Sequence, residues 1–93
     1  MDPDQIQLLL KQGKEFVAVG DLATARVVLR RAAEAGAVDA AFALAQCYDP
    51  KVLTRMRVWG VAPDIGEARR WYEIARQLGS AEAARRLELL PSE

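Results

Sequence analysis

Histidine is absent from this chain of 93 residues, which removes the commonest general base and the commonest metal ligand together. Hydroxyl nucleophiles are scarce too, at two serines and two threonines. Thr24 and Ser80 stand where helix starts use such residues, Ser92 lies in the terminal tail, and none has a base to activate it. No enzyme activity, no cofactor and no metal are therefore expected. The single cysteine, Cys47, excludes an internal disulfide and leaves stability to packing. It falls near an expected helix end, where the negative pole of the dipole disfavours a thiolate, so it reads as a small packing residue rather than a redox site.

Net charge is missing as well. Thirteen basic residues balance thirteen acidic ones, so no overall field exists to hold nucleic acid or an anionic membrane. The doublets Arg30-Arg31, Arg69-Arg70 and Arg85-Arg86 make no basic patch, because adjacent helical residues point about 100° apart. Glu34 and Glu73, four residues after Arg30 and Arg69, read as their ion-pair partners on a solvated outer face. No apolar run reaches the length of a membrane span, and the first twenty residues lack a basic start followed by an apolar stretch. Gly60, Gly66 and Gly79 do not have the spacing of a phosphate cradle.

What the chain has in quantity is helix, bounded by legible signals. Its composition, 52% hydrophobic and 28% charged, is ordinary for a globular protein, and a chain this long is one domain burying roughly 60 to 65% of its unfolded surface. Asp64 follows Pro63 and precedes Glu67 by three, the reciprocal cap of a helix start. Ala68, Trp71, Tyr72 and Ala75 then form one apolar stripe, and Gly79 stops the helix. Sliding the chain by 43 residues superposes Asp21 on Asp64, Ala25 on Ala68, Arg26 on Arg69, Leu29 on Tyr72, Ala32 on Ala75 and Gly36 on Gly79. Beyond the glycine, Ala40, Ala41 and Leu44 meet Ala83, Ala84 and Leu87. A period of this size points to stacked helical hairpins, each too thin to bury its apolar face alone.

Read in order, Asp2-Pro3-Asp4-Gln5 opens a first helix over 3–18 with Ile6, Leu9, Leu10, Gly13, Phe16 and Val17 as its stripe. Gly13 is tolerated inside it because a neighbouring helix comes close there. A second helix runs from 22 to 35, with Ala25, Val28, Leu29 and Ala32 inward and Arg26, Arg30 and Glu34 outward. A third spans 38–48 and stops before Pro50. A structureless loop over 49–63 would be unusual in so small a domain, and Val52, Leu53 and Met56 have the spacing to bury one side of a short extra helix near 51–57. A further helix starts near Ile65, and a last one, capped at Ser80, runs from 81 to 90.

The run Leu44-Ala45-x-x-Tyr48, Gly60-Val61-x-x-Asp64, Ala68-x-x-Trp71-Tyr72-x-x-Ala75 and Gly79-x-Ala81-x-Ala83 resembles the Sel-one-like repeat, a subclass of the tetratricopeptide-like helical repeats. The first hairpin shows the tetratricopeptide spacing in Leu9, Gly13, Phe16, Gly20, Ala25, Leu29 and Ala32. Ala45 stands where the family usually has glycine, and the segment from Tyr48 to Gly60 is longer than the family norm. The resemblance implies an all-α fold of antiparallel hairpins stacked as a short α-solenoid, with about five helices besides the extra one. On this reading residues 1–93 form a single domain, with a first hairpin at 3–36, a second at 38–79 carrying the insertion 49–63, and a capping helix at 80–90.

The implied function is a non-enzymatic protein-protein interaction module, part of a larger protein, binding a peptide or partner helix in a concave groove. The family's inner-face positions fall on Gln7, Leu10, Lys14, Val17, Asp39, Phe42, Gln46, Glu82, Arg85 and Leu89. Phe42 reads either as an apolar anchor ringed by Lys14, Gln46 and Arg85 or as a core residue beneath the insertion. Trp59 in the insertion is either a contact point or a side chain tucked onto the neighbouring helix. The alternative function is a structural spacer or self-association unit without a peptide ligand, packing through Leu87, Leu89 and Leu90. No nucleic acid, no inserted membrane segment and no particular partner is implied.

Overall fold

The computed structural model describes residues 1–58 and 60–92. Among them lie six α-helices and no strand: α1 (Pro3–Ala18), α2 (Leu22–Glu34), α3 (Val38–Gln46), α4 (Pro50–Met56), α5 (Ile65–Gln77) and α6 (Ala81–Leu89). Most starts are set by a side-chain oxygen on an orphan amide. Asp2 accepts from the Gln5 amide while Gln5 reaches back to the Asp2 amide, a complete capping box ahead of Pro3. Asp21 accepts from Thr24, Asp64 from Glu67 and Ser80 from Ala83. Glu67 does not complete the reciprocal cap expected of it. One of its carboxylate oxygens is buried with no hydrogen-bond partner, 3.9 Å from Arg70.

The stops of α2 and α5 share one geometry. Gly36 (φ 93°) and Gly79 (φ 110°) take the left-handed conformation. That turns the next amide back, Ala37 to the Ala32 carbonyl at 3.2 Å and Ser80 to the Ala75 carbonyl at 2.9 Å, the six-to-one bond of a Schellman stop. Helix α3 ends at Gln46, two residues before the expected Tyr48. Asp49 is already extended there and accepts from the Lys51 amide to begin α4.

Packing follows chain order: α1 lies on α2, α2 on α3, α3 on α5 and α5 on α6. The seams are alanine-rich. Ala25, Ala32, Ala40, Ala41, Ala45, Ala68, Ala75 and Ala83 are all fully buried beside Leu29, Leu44 and Tyr72, and small side chains let the helix axes close up around the larger ones. Gly13 shows the same need at its limit, since a Cβ there would sit 2.4 Å from Leu29 Cδ2. The radius of gyration, 12.2 Å, is close to the ~12 Å of a compact chain of this length.

Polar bonds from α2 and α5 hold the connection between α3 and α5. Arg26 was expected to face outward, but it is half-buried. Its Nε and Nη2 donate to the Cys47 carbonyl at 3.1 and 2.8 Å, its Nη2 also donates to the Ala62 carbonyl at 2.7 Å, and its guanidinium covers the Tyr48 ring at 4.2 Å. Arg30 donates to the Tyr48 hydroxyl at 2.8 Å rather than pairing with Glu34. The Tyr48 carbonyl accepts from the Asp64 amide at 2.9 Å, which closes the segment on itself. Tyr72 donates its hydroxyl to Asp49 Oδ2 at 2.7 Å. Asp49 is only 3% exposed, so this bond and the one from Lys51 satisfy a carboxylate that would otherwise be costly to bury. On the outer face Glu73 takes both bonds of Arg76, a three-residue spacing in place of the expected pairing with Arg69, whose Nη2 donates to the Pro91 carbonyl at 3.1 Å.

Candidate functional site

The bonds that fix the α3–α5 connection also seat α4 at the edge of the α1–α3 surface. Between them opens a pocket of about 240 Å³. Lys14 and Val17 of α1 form one wall, and Leu22, Ala43, Gln46 and Cys47 the floor. Val52, Arg55 and Met56 of α4 form the other wall. The lining therefore carries five apolar side chains, a thiol, an amide and two cations, and no carboxylate. Helix α4 turns Val52 and Leu53 inward, each 5% exposed, while Met56, expected to share that buried side, is 38% exposed at the pocket edge.

Cys47 is 2% exposed. Burial raises the pKa of its thiol from 9.0 to about 11 against the opposing charge of Arg26. The direction matches the one expected from a helix end, but desolvation is the principal cause. Tyr72 is likewise held as a neutral donor: burial first, then the bond to Asp49 and its charge, push the hydroxyl pKa well up, with Arg86 and Arg55 opposing.

The inner-face residues named from the sequence divide among three depressions. Lys14, Val17 and Gln46 meet in the pocket beside α4. Gln7, Leu10 and Lys14 line a shallower depression along α1 with Lys11 and Glu15, and Leu10 contributes little to its surface because it is 8% exposed and belongs to the core. Glu82, Arg85 and Leu89 share a third with Arg86 on α6. Asp39 is exposed in the first turn of α3. Phe42 is half-buried, its ring centroid 5.6 Å from that of Tyr72 at 57°, so one of its edges serves the core. Trp59 lies outside the described residues.

Val52, Arg55 and Met56 were missed as lining residues: the spacing read for α4 groups Val52 and Met56 with Leu53 as a buried side and leaves Arg55 out. Among the described residues no group of three acidic or cysteine side chains is placed to hold a metal, and no helix is long and apolar enough to cross a membrane. Comparison with protein-family models, with characterised proteins and with solved structures finds no match for this chain.

Proposed function

We propose that this protein is a non-enzymatic interaction module of the tetratricopeptide-like, Sel-one-like type, a short α-solenoid that binds a peptide or partner helix across the face built by α1, α3 and α6. The observation that carries the reading is the pocket beside α4. Its lining is mainly apolar and reaches solvent at Val17, Ala43 and Met56, its rim is polar, and it has no carboxylate to act as a base, the layout of an anchor site rather than of a reaction centre. The chain-order packing of helices with glycine stops supports the solenoid, as does the alignment of α2 on α5 read from the sequence.

Quantitative affinity capture with the immobilised chain tests it. Proteins retained by the wild type should be lost when Gln7→Glu and Arg85→Glu are combined, and kept with Lys51→Glu, which lies outside all three depressions. An identical retained set for every variant refutes the reading. The second reading, a spacer or self-association unit, draws on Leu89, 52% exposed at the end of α6. Leu90 is buried in this chain's own core and Leu87 packs against it, so the apolar face offered to another copy is narrower than the sequence implied. A concentration-independent monomer by light scattering removes self-association.

A further inference from the structure

We propose that the pocket between α1, α3 and α4 takes one bulky apolar side chain of a peptide, and that this side chain is flanked in the peptide by aspartate or glutamate. The proposal rests on the interaction-module reading and adds the chemistry of the partner. At about 240 Å³ the space falls short of the roughly 300–1,000 Å³ typical of small-molecule sites. It is enough for one leucine- or phenylalanine-sized group, and Val17, Ala43 and Met56 make most of the apolar surface such a group would dry, Leu22 and Val52 being already buried.

The rim supplies the sign of the flanks. Lys14 and Arg55 face this pocket from opposite walls, and neither forms an ion pair with a described residue. Arg26 and Arg30 bond to Cys47, Ala62 and Tyr48, Arg69 to Pro91 and Arg76 to Glu73; what sets Lys14 and Arg55 apart from the remaining exposed arginines is their place on this pocket. No carboxylate lines this pocket. Asp49, the N-cap of α4, is buried on the Tyr72 hydroxyl and the Lys51 amide, and Glu15 lines the depression along α1 that Lys14 also borders. Two cations and no carboxylate on a mainly apolar lining favour an apolar anchor with acidic neighbours over one with basic neighbours.

The test is an amide NMR titration of the full chain with an acetylated, amidated peptide holding a central leucine between paired glutamates. Its glutamine counterpart, its serine-for-leucine counterpart and octanoate serve as the other arms. The proposal expects shifts centred on Val17, Ala43, Gln46 and Val52. It expects at least about fivefold weaker binding of the glutamine peptide and loss of binding with serine. Lys14→Gln combined with Arg55→Gln should weaken the acidic peptide by roughly fivefold, with little change in melting because both residues are exposed. Equal binding of the glutamine peptide, equal binding of octanoate, or no binding overturns it. Shifts centred instead on Glu82, Arg85 and Leu89 overturn the pocket assignment while leaving the interaction-module reading standing.

Discussion

Helices α2 and α5 begin at aspartate, stop at a left-handed glycine and bury the same stripe, yet they hold very different things. Arg26 and Arg69 occupy matching places, and each reaches past the following helix to a backbone carbonyl, Cys47 in one case and Pro91 in the other. Arg26 makes three such bonds to two carbonyls and lies on the Tyr48 ring. At the next matching place, Leu29 ends in methyl groups against Gly13, whereas Tyr72 ends in a hydroxyl bonded to buried Asp49. The α3–α5 connection is thus ordered by polar atoms that the regular helices lend it together with an apolar seal from Val52, Leu53, Val58 and Val61. A shared frame fixes helix spacing; the polar substitutions on that frame decide which extra segment it can carry.

The largest expected effect concerns the residue whose carbonyl Arg26 grips. With its pKa raised to about 11 from 9.0, native Cys47 at pH 8 carries about a hundredfold less thiolate than the unfolded chain. Alkylation by iodoacetamide should be slower by at least that factor. The sign of the linkage follows: the stability associated with Cys47 is fully present below pH 9 and lost as the pH rises through about 11. Equal alkylation rates in native and unfolded protein would mean that the connection does not close over the thiol.

Next comes the matched pair in the core. Tyr72→Phe leaves Asp49 buried without its hydroxyl donor and should cost on the order of 3 kcal/mol. Leu29→Met, at the equivalent place, should cost under about 1.5 kcal/mol. Urea denaturation midpoints compare the two, and equal losses would erase the asymmetry. Arg26→Met should cost about 2 kcal/mol by stranding the Cys47 carbonyl. Gly36→Ala and Gly79→Ala close the series at about 1 kcal/mol each, similar to one another because both stops need the same positive φ.

Much of the frame was legible in the sequence because its causes are local. Asp2, Asp21, Asp64 and Ser80 act within three residues of where they stand, and Gly36 and Gly79 act on the turn they end. Even α4 was readable, from the Val52–Leu53 spacing behind Pro50. The roles of Arg26, Arg30 and Tyr72 were not, since their partners lie between 18 and 36 residues away and helical periodicity assigns a long side chain to a face without saying what it reaches. The same limit hid the pocket. Lys14, Val17 and Gln46 were named for the inner face, but Arg55 and Met56 join them only after Arg26 and Tyr72 have seated α4.

Arg26 and the bond between Asp64 and Tyr48 hold the described residues of the connection from Cys47 to Asp64 as a fixed wall of the pocket. Hydrogen exchange of the Asp64 amide tests it most directly, because that amide donates to the Tyr48 carbonyl inside the segment Arg26 holds. Its protection should be comparable to that of the α5 amides in the wild type and fall sharply in Arg26→Met while the α2 amides stay protected. Exchange of the wild-type Asp64 amide at the rate of an unfolded chain would contradict it.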